Sequence, residues 1–289
     1  MYPILFEIGP FVISSFGVMI VAAFLICNHL LIKDIKAEGY DSQIAEDITF
    51  RAAIGGIVGA KVYYLIENIL TGRSADNISG LLDIVKGIFI FIGGILTLSL
   101  ERIMESGIQI GNGIQNFGSG LVFLGGLIGG MIAVTIYVQR KGLKWLQVAD
   151  WVAPFLALGH SIGRIGCFLV GDDYGIPSNL PWACAFPNGL PPINIPVHPT
   201  QIYEMSIYFL IFIYLRYRKH NQNFSGELMF EYLFLVGLFR FLVEFIRTNP
   251  KYLIGFSGAQ YISIIMMVLA IYYIWNIRKT ESIIIEEND

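Results

Sequence analysis

Arg164 stands inside a long apolar run, "GHSIGRIGCFLVGDDYG" from Gly159 to Gly175, and with His160 and Cys167 it falls at i, i+4 and i+7 spacing. On a helix these three side chains share one face. A permanent cation within a bilayer costs at least about 2.5 kcal/mol even on the most lenient insertion scale, so its default reading is functional. A second stripe, Arg240, Glu244 and Arg247 in "GLFRFLVEFIRTNP", repeats the spacing with a carboxylate between two guanidiniums. If Glu244 neutralises one arginine, the two stripes predict a local cationic excess. The planar fork of arginine suits phosphate, and a phospholipid head group is the abundant phosphate at that depth. His160, one turn before Arg164, is a group able to accept a proton in the same cavity. Two plainer readings compete: a structural ion pair for Arg164 and a packed imidazole for His160.

A polar mouth adjoins these stripes. It comprises Asp172, Asp173, Tyr174, His198, Gln201, Tyr203 and Glu204. Asp172 and Asp173 between Gly171 and Gly175 also fit ordinary turn chemistry. His198 precedes Pro199, where a helix is predicted to begin, so it reads either as a cap or as a rival base to His160.

The elements that carry these residues are set by composition. Of 289 residues 55% are hydrophobic and only 14% charged, against roughly 25% charged in soluble domains, and the mean hydropathy is +0.64. The chain is predicted to be an all-α, polytopic membrane protein forming a single transmembrane domain over 1–289. A net charge of -3 lacks the basic footprint of nucleic-acid binding. The three cysteines, Cys27, Cys167 and Cys184, have no metal-ligand spacing, and neither a disulfide, a metal nor a redox cofactor is implied. Apolar runs near the ~20 residues that a span requires occur at about 11–32, 48–70, 118–138, 152–170, 200–217, 227–247 and 257–277. That predicts about seven transmembrane helices. The first run lacks the basic flank and cleavage site of a secretory signal and stays as the first helix.

Charge orients the spans. Lys33, Lys36, Arg140, Lys141, Lys144, Arg216, Arg218, Lys219, Arg278 and Lys279 collect on one side, whereas 171–200 has no Lys or Arg. The positive-inside rule makes the basic side cytoplasmic. The N-terminus is therefore expected outside, 171–199 as an external loop, and the C-terminus with its acidic "ESIIIEEND" in the cytoplasm. Parity makes 72–117 an insertion that crosses zero times or twice; zero is simpler, which predicts a peripheral or re-entrant path. "GGIVGA" at 55–60 and "GGLIGG" at 125–130 read as small-residue faces for close helix packing.

These residues resemble a known family, the bacterial prolipoprotein diacylglyceryl transferases. "GRIGCFLVGDDYG" at 163–175 is similar to the family signature GRxGNFxNxExxG, and "LPWACAFP", "HPTQIYE", "FRFLVEFIR" and "QYIS" resemble later blocks in order. "FLGGLIGG" and "GAKVYY", which contains Tyr64, match earlier blocks more loosely. The resemblance covers nearly the whole chain apart from about 72–115. It implies a seven-helix enzyme of the bacterial plasma (inner) membrane that moves the diacylglyceryl group of phosphatidylglycerol onto the lipobox cysteine thiol of a preprolipoprotein signal peptide, releasing glycerol phosphate. It places the signature arginine on Arg164, the late arginine on Arg240 with Glu244 and Arg247 after it, and the closing glycine on Gly175. The sequence departs from the pattern at several positions: Leu124 replaces a histidine, Phe16 a tyrosine, Lys61 an arginine, Cys167 and Val170 two asparagines, and Asp172 a glutamate. The competing reading is a non-catalytic or altered-specificity relative that binds anionic phospholipid or signal peptide. A transporter with a midplane anion site is disfavoured because matching broken-helix pairs are missing from the sequence.

Overall fold

The computed structural model describes residues 2–8, 11–68, 75–118 and 122–286. A two-stranded sheet, β1 (Ile4–Ile8) with β2 (Phe11–Ser14), precedes a mostly helical chain. The helices are α1 (Ser15–Ala37), α2 (Gln43–Asn68), α3 (Ala75–Leu96), α4 (Leu100–Gly118), α5 (Phe123–Arg140), α6 (Trp145–Val170), α7 (Thr200–Arg218), α8 (Glu227–Val243) and α9 (Gly258–Glu286). Among the described residues each predicted apolar run lies mainly on one of them, although 11–14 form β2 and 244–247 lie beyond α8. Among the described residues, α1, α6 and Gly258–Ile277 of α9 are long and apolar enough to cross a membrane. The others are interrupted by charge or cut short: α2 opens on Glu46, Asp47 and Arg51, α7 carries Glu204, Arg216 and Arg218, and α8 has 17 residues.

The chain divides into two compact units. One comprises Phe6–Ile13 and Glu46–Lys141. Within it the small-residue faces of α2 and α5 meet backbone to backbone: a Cβ at Gly55 would lie 2.6 Å from Ala133 Cβ and 2.7 Å from the carbonyl oxygen of Gly129. That approach is the packing role predicted for the two glycine clusters. The segment expected as an insertion forms two helices, α3 and α4, packed against each other; its residues 72–74 lie outside the described residues.

The other unit comprises Met1–Leu5, Ser14–Ala45 and Gly142–Asp289. α6 is its central element, with half of its apolar window buried against 17% for α1 and α9. Ala153 and Ala157 of α6 let α7 and α8 approach, and Tyr208, Ile211, Leu215, Leu228, Tyr232 and Val236 close the core around them. On its other flank Leu158 and Ile162 pack on Ala23 of α1. The basic end of this bundle is neutralised rather than bare. Lys219 bonds Asp34 and Glu38 at 2.9 and 2.8 Å, Arg216 also pairs with Asp34, and Arg218 bonds Glu227 at 2.8 Å. Asp150 of α6 accepts from the backbone N–H groups of Gly226 and Met229 at 2.5 and 3.0 Å. A carboxylate there satisfies the free N–H groups that open α8.

The opposite end carries the loop between α6 and α7. α6 stops where Gly171 adopts φ 78, and its N–H bonds the carbonyl of Cys167 at 2.8 Å. Positive φ suits glycine and closes the helix. Two short antiparallel strands follow, β3 (Cys184–Phe186) and β4 (Ile193–Val197), before Pro199 caps α7.

Candidate active site

The site forms where the last turns of α6 meet the start of α7 and the end of α8. Arg164 is six residues from the end of α6, about 9 Å at 1.5 Å per residue. α6 begins at Trp145 rather than at the predicted 152, so Arg164 lies in the loop-proximal half of the helix. Cys167 shares its face as the spacing requires, with its Sγ 3.7 Å from Arg164 Nη1.

The predicted helix over 227–247 is shorter. α8 ends at Val243, Glu244–Ile246 make a 3-10 turn, and Arg247 is extended at φ -95 and ψ 160. The reason is a competing backbone partner in the loop: Ile176 N–H donates to the carbonyl of Ile246 at 2.9 Å, and Gly175 forms an antiparallel bridge with Arg247. A Cβ on Gly175 would sit 2.5 Å from the Ile246 carbonyl oxygen and 2.9 Å from His198 Cβ. Gly175 is thus required by close approach of three chain segments.

The three arginines converge on one carboxylate. Glu204, 2% exposed, accepts from Arg240 Nη1 at 2.7 Å and Arg247 Nη1 at 3.3 Å, and its second oxygen pairs with Arg164 Nε. Asp173 spans the other side, 2.7 Å from Arg164 Nη1 and 2.5 Å from Arg247 Nη2. Glu244 lies 3.2 Å from Arg240 and 3.7 Å from Arg247, and accepts from Asn249 at 2.5 Å. This corrects the expected cationic excess: three guanidiniums face three carboxylates. The sequence count paired only Glu244, because the other two anions come from different elements. The sequence places Glu204 and Asp173 together at the polar mouth; the structure makes Glu204 the hub and Asp173 the bridge between Arg164 and Arg247.

The loop is anchored by the first turn of α7. Thr200 Oγ1 donates to the carbonyl of Asp173 at 2.6 Å, and Gln201 Nε2 donates to that of Asp172. Gln201 therefore supports the loop backbone. The two aspartates face different fields. Burial and the neighbouring Asp173 charge push the Asp172 carboxyl above its usual range. Burial would do the same to Asp173, but Arg247 and Arg164 outweigh it and hold that carboxyl below the usual range. Ligand atoms of Cys167, Asp172 and Asp173 come within 4.8 Å of one another; a cation there would face the same two guanidiniums, so this geometry does not favour a metal.

His160 packs against α7 and α8, with its ring 5.1 Å from that of Tyr208 and Nδ1 3.3 Å from the Tyr232 hydroxyl. His198 does not cap α7. Its Nδ1 lies 3.3 Å from the Tyr203 hydroxyl, which accepts from Trp182 Nε1 at 2.7 Å. His198 at the end of the loop and Tyr203 in the first turn of α7 thus form a separate polar group. Tyr64, on α2, belongs to the other unit, where Lys61 Nζ lies 5.4 Å from its ring centroid.

Comparison with known proteins agrees with this arrangement of blocks. Residues 3–276 match the family described as prolipoprotein diacylglyceryl transferase. A phosphatidylglycerol-prolipoprotein diacylglyceryl transferase of Clostridium tetani is 32% identical over 281 residues, covering 96% of this chain and 98% of the relative. A second enzyme of that name, from Clostridium perfringens, is 28% identical over 278 residues, covering 96% and 95%. One from Leptospira interrogans is 28% identical over 311 residues, covering 95% and 92%. On a match of this extent, the chain belongs to the prolipoprotein diacylglyceryl transferase family.

Proposed function

We propose that the protein transfers the diacylglyceryl group of phosphatidylglycerol to the lipobox cysteine thiol of a preprolipoprotein. The observation that carries this reading is the convergence of Arg164, Arg240 and Arg247 around one buried carboxylate beside the α6–α7 loop. In the transfer, the substrate's sulfur forms a bond to the glyceryl carbon while the carbon–oxygen bond to phosphate breaks, and glycerol phosphate leaves with the electron pair. Negative charge gathers on the departing phosphate, which preorganised guanidiniums stabilise in a water-poor site. The nucleophile belongs to the substrate, so no serine or cysteine nucleophile is required of the enzyme. Arg164 and Arg240 hold the phosphate, Arg247 completes the seat, and Glu244 orients Arg240 and Arg247.

His160 is the proposed base for the thiol. When its Nδ1–H donates to the Tyr232 oxygen, Nε2 carries the lone pair that takes the proton. Asp172, His198, Tyr203 and Tyr64 are proposed to contact the signal peptide or lipid, while Gln201, Glu204 and Gly175 hold the loop and arginines in register. The protein is placed in the bacterial plasma membrane with seven spans, the N-terminus outside, 171–199 external, the C-terminus cytoplasmic and 72–117 peripheral or re-entrant.

The test is incubation of the purified protein with phosphatidylglycerol and a lipobox peptide, read as a diacylglyceryl mass gain on the peptide and release of glycerol phosphate. Arg164→Gln and Arg240→Gln each remove a charge-assisted bond of about 1.5–3 kcal/mol and should lower turnover at least about tenfold. Full turnover in both variants would reduce the arginines to scaffolding.

A further inference from the structure

We infer that Asp173 is an exchangeable counter-ion, whose carboxylate holds the place between Arg164 and Arg247 that the phosphodiester of an anionic lipid takes on binding. The inference rests on the phosphate reading of these arginines and adds the step that admits the phosphate.

Charge balance favours such a step. Arg164, Arg240 and Arg247 are matched by Glu204, Glu244 and Asp173, so a further anion gains guanidinium contacts by displacing one of the three. Their side-chain exposures decide which: 3% for Glu204, 1% for Glu244 and 42% for Asp173. A buried carboxylate that lost its guanidiniums would be stranded without water, whereas Asp173 exchanges them for solvent.

The backbone is built for a side-chain movement rather than a loop movement. Thr200 Oγ1 holds the Asp173 carbonyl at 2.6 Å, and the N–H groups of Gly175 and Ile176 bond His198 and Ile246 carbonyls at 2.9 Å. Asp173 itself sits at φ 60, a left-handed conformation that Asp tolerates better than most residues. From that fixed stem, rotation of the side chain suffices to clear both Arg164 Nη1 and Arg247 Nη2.

A tethered competitor acts as a filter. Apparent affinity falls by the fraction of molecules whose seat is open, so a carboxylate in place nine-tenths of the time weakens binding about tenfold. Only a ligand whose own charge replaces that carboxylate recovers the two guanidinium contacts. Diacylglycerol, which shares the acyl chains and lacks the phosphate, has no claim on the seat.

The experiment compares binding of phosphatidylglycerol and diacylglycerol, of equal chain length, to the detergent-solubilised full chain and to Asp173→Asn and Asp173→Gly. Asn keeps the shape without the charge, and Gly also accepts the left-handed backbone. Both variants should bind phosphatidylglycerol about tenfold tighter, with diacylglycerol unchanged. Unchanged or weaker phosphatidylglycerol binding, while Arg164→Gln still weakens it, would overturn the counter-ion role and leave the phosphate seat standing. If Arg164→Gln also binds as the parent does, the seat itself is wrong. An equal gain for both lipids, or loss of the folded state in both variants, would make Asp173 a structural tether and overturn the inference.

Discussion

Replacing Glu204 by Gln should destabilise the protein more than any other single charge removal in the site. Glu204 is 2% exposed and faces all three arginines. Removing one member of a buried ion pair costs about 3–5 kcal/mol, because the partner charge remains without compensation. Two features reduce that here. The amide oxygen of Gln still accepts one bond, and the side chains of Arg164 and Arg240 are 18% and 21% exposed. The expected loss is therefore about 2–3 kcal/mol, or a fall in thermal midpoint on the order of 5 °C. Thermal unfolding in detergent measures it, with Glu105→Gln on the exposed surface of α4 as the control. The unbalanced site should also bind anions better, so added phosphatidylglycerol should raise the midpoint of Glu204→Gln more than that of the parent. The double variant Glu204→Gln/Arg240→Gln should recover part of the loss, since it restores the charge count. A fall equal to the Glu105 control would refute the hub.

Asp172→Asn should stabilise the protein at neutral pH. The raised carboxyl of Asp172 contributes stability fully only below its unfolded pKa of about 3.9, and loses it as pH rises through the folded value. The variant should flatten the stability curve over the pH range just above that unfolded value; an unchanged curve would contradict the assignment. His160→Gln should lower transfer by about 10²- to 10⁴-fold if it removes the general base, whereas His198→Gln, at a residue beside Tyr203 of α7, should cost far less; the transfer assay over pH 6–9 distinguishes them, and the reverse order would make His198 the base. For the topology, Asn188 and Lys141 are both exposed. In a Cys184→Ser background, an impermeant thiol reagent applied to intact cells should label Asn188→Cys and not Lys141→Cys, and the reverse would invert the orientation.

The sequence disclosed the face that carries Arg164 and Cys167, because helical spacing alone fixes it, and the structure places them 3.7 Å apart. It also disclosed the meeting of small residues on α2 and α5 through two glycine clusters with no other use. The pairing of charges was not legible. Glu204 lies on α7, 36 residues before Arg240, and nothing local to either residue records that their helices bring them together. Asp173 is only nine residues from Arg164, but its direction depends on Gly171 ending α6 and on Thr200 seizing its carbonyl. The end of α8 was hidden for a similar reason. "FRFLVEFIR" has neither glycine nor proline to stop a helix, and the backbone leaves it because Ile176 in a distant loop supplies a strand-like partner.

The departures from the family signature take on a pattern once the charges are paired. Cys167 and Asp172 alter the polar lining of the arginine site, and Val170 removes a further polar side chain from α6. Every arginine of that site is retained and joined to a carboxylate of the same unit. Hydrogen-bonding groups that position a neutral part of a substrate can be exchanged at modest cost, since one neutral bond contributes about 1 kcal/mol. The charged groups cannot, because each guanidinium removed strands a buried carboxylate as well as weakening the anion seat. The reaction asks its enzyme chiefly for stabilisation of a leaving phosphate, the nucleophile being the substrate's own thiol. A chain that keeps the three arginines in register through Glu204 and Glu244, with Asp173 as the exposed third partner, keeps the groups that such stabilisation calls for.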